Sequence, residues 1–384
     1  MAPPLAAKNF HQVSDLISHD LAVLTDGSQQ HQPITTAIRT ICDSYPPDTC
    51  LRELLQNADD AEATEIEYVL DTNSYLDSPL LNDGLKEYHG PALLARNNSV
   101  FSDADFASLS SIGDSRKRYE ASSTGKFGQG FNAVYHWTDG PWVYSRNWLL
   151  ILDPHERWSV KFGQPGGPTW DVVKEGGYKE IQNHLKTFRA FHLDVSQEIN
   201  ETIIRIPLRT KAQAMTSKIV EREITIEEIK GALDQFGREV REGGLLFLKH
   251  IQKVTVRINA DVVWEANLLL NCPSSVKLVV FGIFRHNLEI LISHRARQEI
   301  PSDFKELFSP VAEKGMKSYL SKALNIDVEF TTKGVPTLYR YIVHHTMRGS
   351  SGHKELDQWA RERKLFPWVA VAAPIEVSYG FHQL

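Results

Sequence analysis

The sequence predicts an α+β chain of two domains. Three observations carry that reading: an amphipathic helix at Leu51-Arg-Glu-Leu-Leu-Gln-Asn-Ala-Asp-Asp-Ala61, alternating apolar residues that mark strands at 64–70 and 202–208, and a shift in composition near residue 215. On a helix of 3.6 residues per turn Leu51, Leu54, Leu55, Ala58 and Ala61 form one apolar stripe. Beside it Glu53, Asn57 and Asp60 line up at i, i+4 and i+7. A solvated face would mix cations among the acids to form i, i+4 pairs, and only Arg52 is available, so this line of carboxylates and an amide is a candidate for coordinating something.

Taken in order, residues 10–24 read as a helix with Phe10, Val13, Leu16, Ile17, Leu21 and Leu24 in step. A second helix runs from Ile34 to Cys42 and stops before Tyr45-Pro46-Pro47, where the prolines deny the backbone donors it needs. Asp48 or Thr49 can cap the 51–61 helix, and Thr64 to Leu70 follows as a strand bordering a core. Pro79 and Asn82-Asp83-Gly84 mark 71–90 as an exposed loop. A short strand, Pro91 to Arg96, runs into Asn97-Asn98-Ser99, amides at a strand end where side chains commonly reach a ligand. Asp103 to Ile112 is helical, and Gly113 to Thr124 is a charged loop holding Arg116, Lys117 and Arg118. It leads to Gly125-Lys-Phe-Gly-Gln-Gly-Phe131, where three glycines let backbone amides approach an anion, with a following helix adding its N-terminal dipole. The loop lacks the ending of a P-loop, and tight turns use glycine as freely.

Strands are expected between Trp142 and Asp153, and at Thr202 to Leu208 after a Gly/Pro-rich loop at 163–168. Beyond the boundary, Thr225 to Arg241 is an amphipathic helix, and Leu245 to Leu248 with Val254 to Ile258 begin a fresh set of strands. Leu278 to Leu291 and Tyr339 to His345 read as further strands, and Phe304 to Leu324 and Glu355 to Lys364 as helices. The division is therefore 1–215 and 216–384, and the ending at Phe381-His-Gln-Leu384 has no recognisable terminator of the second domain, so truncation there is an open reading.

Composition excludes several classes. At 384 residues, with 42% hydrophobic and 23% charged residues, the chain has the makings of two ordinary cores and is not of a disordered type. A net charge of −6 argues against a general polyanion binder, so no nucleic-acid partner is expected and any phosphate site must be local. No window reaches the ~18 apolar residues of a membrane span. Cys42, Cys50 and Cys272 show no metal spacing and suit a reduced compartment as small buried apolar residues; a cytoplasmic location is expected, with a nuclear one open. His89, His136, His155, His344 and His345 lack partners at metal spacing and are read as structural.

Three pieces in fixed order, Glu53-x-x-x-Asn57-x-x-Asp60-Ala61, Asn97-Asn98 and Gly125-x-x-Gly128-x-Gly130-Phe131, resemble the ATP-binding fold of gyrase, heat-shock chaperones, histidine kinases and MutL, the GHKL superfamily. The closest likeness is to the nucleotide-binding repeat of the sacsin family. It rests on the 51–61 run, Gly90-Pro-Ala-Leu93, Ser111-Ile-Gly113, the run from Gly125 to His136, Leu152-Asp-Pro-His155 and Arg205-Ile-Pro-Leu-Arg-Thr210.

The resemblance implies a Bergerat-type two-layer α/β sandwich with a mixed sheet, followed by a second, smaller α/β domain, and ATP and Mg²⁺ as cofactors. It gives Asn57 to the metal, Glu53 the place of general base, and Asp60 the task of orienting Asn57 or reaching the nucleotide through water. Main-chain amides of Gly125, Gly128, Gln129, Gly130 and Phe131 would wrap the phosphates with Lys126 as an added cation, and Thr202 would lie beneath the adenine. Where the superfamily has an aspartate for the adenine amino group this chain has Asn98, whose oxygen can still accept, and Glu201 stands where the superfamily often has glycine. The function implied is an Mg-ATP-binding, chaperone-like module acting on protein clients, with slow hydrolysis and dimerisation left open. The alternative is a nucleotide-gated or catalytically inert scaffold for protein interaction.

Overall fold

A computed structural model describes residues 33–76, 79–110, 129–163, 166–174, 176–246, 248–269, 319–348 and 368–379. The expected helices at 10–24 and 355–364, the loop at 113–124 and the strand at 278–291 lie outside the described residues.

Helix α1 (Ile34–Ser44) buries Ala37, Ile38 and Cys42 and ends at the two prolines as expected. A 3-10 turn, Pro47–Thr49, leads into α2 (Cys50–Asp60), which buries Leu51, Leu54, Leu55 and Ala58. No side chain caps α2: the Thr49 hydroxyl donates to Pro46 O at 2.7 Å, and Asp48 pairs with Arg52 at 3.1 Å. Truncating a buried leucine of this stripe, Leu54→Ala for instance, removes about 2–5 kcal/mol. Next come β1 (Glu65–Asp71), β2 (Ala92–Asn97), α3 (Asp103–Ser110), β3 (Trp142–Arg146), β4 (Trp148–Ile151), β5 (Thr169–Asp171), α4 (Gly177–Leu185) and β6 (Ile199–Pro207). The chain continues through α5 (Lys211–Ala214), α6 (Ile226–Glu239), β7 (Lys253–Ile258), β8 (Asp261–Leu269), β9 (Tyr319–Thr332), β10 (Val335–Arg348) and β11 (Trp368–Tyr379).

Among the described residues the strands form one mixed sheet in the order β11-β10-β9-β8-β7-β1-β2-β6-β3-β4-β5. The β1–β7 pair is parallel and its neighbours are antiparallel. The expected boundary near 215 falls on a connection, while strands from either side of it hydrogen-bond directly. Because side chains alternate across a strand, Ile66, Tyr68, Leu70, Leu93, Ala95, Val143, Leu150, Ile204 and Ile206 share one core with α1, α2 and α6. This is the α-on-β sandwich. The opposite face carries a second core in which Val69, Leu94, Trp142, Tyr144, Leu149 and Ile203 meet Ile181, Leu185, Phe188 and Phe191. Alternation thus gives near-continuous apolar runs, the signature of a sheet buried on both sides.

Three expectations are corrected. The 71–90 segment is not simply an exposed loop, since Asp83–Tyr88 is a 3-10 helix with Leu85 and Tyr88 buried in the second core. Leu245, Leu246 and Leu248 are not in a strand, residue 247 lying outside the described residues: a further helical turn, Val240–Gly244, follows α6, its Gly243 has a φ of 113° that suits glycine, and Leu245 and Leu246 are buried in the turn after it. Residues 319–324, placed in a helix by their spacing, lie in β9 instead, a 14-residue strand paired along its whole length with β10. Tertiary pairing overrode local pattern there.

Candidate functional site

Helix α2 sets the site because its two faces lead different ways. Its apolar stripe is held in the core, where Tyr68 Oη donates to Leu51 O at 2.8 Å. On the far side Asp59, fully buried, accepts from the backbone N–H groups of Lys249, His250 and Ile251 at 3.0, 2.7 and 3.0 Å. That anchor fixes the helix against the segment entering β7. At the edge of the packed stripe, Leu54, Asn57, Ala58 and Ala61 wall a cavity of about 220 Å³.

The other walls are Asn97 to Ser102, with Asn98 absent, and Asp105, Thr202 and Ile204. Sheet register explains the selection. Asn97 is the direct cross-strand partner of Thr202, and Thr202 that of Ser145, so the three form one row across β2, β6 and β3 on the helix-covered face. At the rim, Ser102 and Asp105 cap each other at the start of α3, with the Asp105 carboxylate accepting from Ser102 N and Oγ, both at 2.7 Å.

Asn57 is buried, and its Nδ2 has no hydrogen-bond partner among the described residues. An orphaned buried amide donor costs about 1–3 kcal/mol, so it reads as a group kept for something that enters the cavity. Its Oδ1, a hard uncharged oxygen, fits Mg²⁺, which takes few protein ligands and keeps waters or phosphate oxygens for the rest. Glu53, one turn earlier, lies against Gly130: a Cβ built there would fall 2.0 Å from Glu53 Oε2. Partial burial pushes the Glu53 carboxyl above its ordinary range, with Arg52 opposing, which is the direction a proton acceptor at neutral pH requires.

The structure thus brings Asn57 and Thr202 to one cavity and sets Glu53, one turn before Asn57, against Gly130; neither Glu53 nor Gly130 lines that cavity. Gln129 opens a 3-10 helix, Gln129–His136, instead of an α-helix, and Phe131 sits in the main core below it. Gly125, Lys126 and Gly128 lie outside the described residues. Asp60 is not a wall of the cavity; its Oδ1 stands 3.7 Å from Lys249 Nζ.

Asn98 is the residue that changes. Its Oδ1 accepts from Thr64 N and Glu65 N at 2.9 and 3.3 Å, and its Nδ2 donates to Thr64 Oγ1 at 2.7 Å. Both ends of the amide are engaged away from the cavity, and it is Asn97, not Asn98, that lines it. Asn97 Oδ1 accepts one bond, from Ser99 N at 3.0 Å, leaving a lone pair and its amide nitrogen for a ligand. Glu201, the other departure, turns to the opposite side and clasps Arg96 with both oxygens at 2.7 and 2.5 Å. Sequence spacing could not separate Asn97 from Asn98; only the pairing of Asn97 with Thr202 does so.

Comparison with known proteins agrees with the motif runs. A family model described as the Sacsin domain matches residues 31–267. Human (Homo sapiens) sacsin is 34% identical over 223 residues, which is 54% of this chain and 5% of that protein. This chain therefore spans a small fraction of that relative. A solved N-terminal domain of a DNA repair protein overlaps 81% of this chain and 71% of its own at 12% identity, with a TM-score of 0.33, too low for element-by-element correspondence.

Proposed function

Because the chain belongs to the Sacsin domain family, whose model covers more than half of its length, we propose that it is an Mg-ATP-binding, chaperone-like module. The observation that carries the nucleotide part is the cavity between α2 and the β2–β6 row, walled by the unpartnered amide of Asn57, by Asn97 and by Thr202. Asn97 and Thr202 would meet the base, and Asn57 the metal through Oδ1 while Nδ2 donates to a phosphate oxygen. Mg²⁺, when bound, supplies charge neutralisation on the phosphates. Glu53 would accept the proton of an attacking water, and main-chain N–H groups of the Gly130 turn would meet the phosphates. The chaperone-like part, with protein clients as partners, rests on the family resemblance alone.

A second reading has its own observation. Among the described residues no Lys or Arg lines the cavity, so the cation that usually completes phosphoryl transfer is not in view. That favours a module that binds nucleotide as a gate or scaffold without turning it over.

Calorimetry with Mg-ATP and phosphate-release assays test both. Wild type should bind, Asn57→Ala should weaken binding by about tenfold or more, and equal binding by Asn57→Ala removes the assignment. Turnover that Glu53→Ala abolishes while binding persists removes the scaffold reading; no turnover in wild type removes the ATPase reading.

A further inference from the structure

One buried polar side chain, Ser145, stands behind the cavity without lining it. At Ser145 the β3–β6 ladder shifts register before Arg146, whose φ is 54°. A bulge of this kind leaves backbone groups out of the ladder, and the Ser145 side chain takes up one of them, Glu201 O, together with Phe101 N from the segment before α3. Fully buried, its Oγ lies 2.9 Å from Glu201 O, 3.0 Å from Phe101 N and 2.9 Å from Thr202 Oγ1.

A hydroxyl has one hydrogen and two lone pairs. Glu201 O can only accept, so Ser145 donates its hydrogen there. Phe101 N–H can only donate, so it fills one lone pair. The remaining contact is satisfied when Thr202 donates to Ser145, and the reverse would leave Glu201 O facing an oxygen with no hydrogen between them. The Thr202 hydroxyl hydrogen is thereby committed to Ser145, and what Thr202 offers the cavity is an acceptor.

We infer that Ser145 is a positioning residue that sets base selectivity: by holding Thr202 as an acceptor, it makes the cavity favour a purine with a 6-amino group over one with a 6-oxo group. The inference rests on the nucleotide reading of the Asn97–Thr202 cavity. A 6-amino group can donate to Thr202, whereas a 6-oxo group meets lone pair with lone pair. Sites whose polar groups are matched to a ligand reject the mismatched analogue because buried groups are left unpaired.

The test is a set of titrations with Mg-ATP, Mg-GTP and the Mg complex of purine riboside triphosphate, which lacks the 6-substituent. Wild type should prefer ATP to both. Ser145→Ala frees the Thr202 hydroxyl to turn and donate, and should reduce the ATP:GTP preference about fivefold to tenfold with less change for purine riboside triphosphate. Thr202→Val leaves the Ser145 bonds to Glu201 O and Phe101 N in place and should lose the same preference, so it carries the test if Ser145→Ala does not fold. A purely structural role for Ser145 would weaken all three ligands alike. Unchanged ATP:GTP ratios in a folded Ser145→Ala, or in Thr202→Val, overturn the inference while leaving nucleotide binding intact; no binding of any triphosphate by wild type overturns both.

Discussion

Gly130 is the residue on which the placement of Glu53 turns. The main chain there approaches the carboxylate so closely that an added methyl would meet Oε2 at 2.0 Å and Cδ at 2.9 Å. Since the obstructing atoms are the end of a flexible side chain, Gly130→Ala should fold, with Glu53 swung aside. Any wild-type phosphate release should then fall about tenfold or more, as expected when a general base is misplaced, with the melting temperature within about 4 °C of wild type. Turnover equal to wild type would show that Glu53 is not the base. At this scale the sequence was informative about residue types and less so about directions. Glu53 and Asn57 were legible from helical spacing, because periodicity fixes which side of α2 they occupy. The choice between Asn97 and Asn98 was not, because it depends on a cross-strand pairing 105 residues away, and Ser145, a lone serine among aromatic neighbours, gave no signal at all.

Among elements, the segment from Tyr75 to His89 shows most clearly what turn chemistry leaves unsaid. Pro79 and Asn82-Asp83-Gly84 locate the turns correctly, but nothing local states that α4 will pack on them. Packing creates a buried relay whose tautomers are fixed by its ends. Leu81 N–H donates to His184 Nε2 at 3.3 Å, so His184 carries its proton on Nδ1 and donates to His89 Nε2 at 2.8 Å; His89 Nδ1 then donates to Tyr75 O at 3.2 Å. Both rings are neutral. Burial pushes His89 down to about 3, helped by His184 and the buried Arg205 guanidinium, and burial pushes His184 down to about 4. The unfolded chain binds these protons near the ordinary value of about 6.5 and the folded chain does not. Stability from the pair is therefore complete above about 6.5 and lost as pH falls towards 4, at a slope approaching about 2.7 kcal/mol per pH unit for two groups. Urea midpoints measured between pH 7 and 4.5 should fall steeply for wild type and less steeply for His184→Gln. Parallel profiles would contradict the relay.

For the whole molecule, the sheet is the common frame. The motif runs between 51 and 210 were legible where their residues have a local job, as in the stripe of α2 or the strand end at Asn97. The β7–β11 half was harder: 319–324 reads as helix by spacing and is strand by pairing, and β7 joins the sheet beside β1 only through a parallel contact that no local pattern encodes. Asp59 shows how the halves meet at the site, since one carboxylate on α2 gathers three N–H groups from residues 249–251. Aromatic contacts continue the connection, with Tyr68 on Phe236 at 5.5 Å, Phe236 on Trp264 at 5.9 Å and Trp264 stacked on Phe330 at 5.3 Å. Among the described residues no helix is long and apolar enough to cross a membrane. Whether α2 and the Asn97–Thr202 row together hold a nucleotide is decided by a crystal structure with Mg²⁺ and a non-hydrolysable ATP analogue. The adenine edge should lie within hydrogen-bond distance of Asn97 and Thr202, with Mg²⁺ on Asn57 Oδ1 and the phosphates at Gly130. A nucleotide seated elsewhere, or a base read by Asn98 with the metal away from Asn57, would rule out this site.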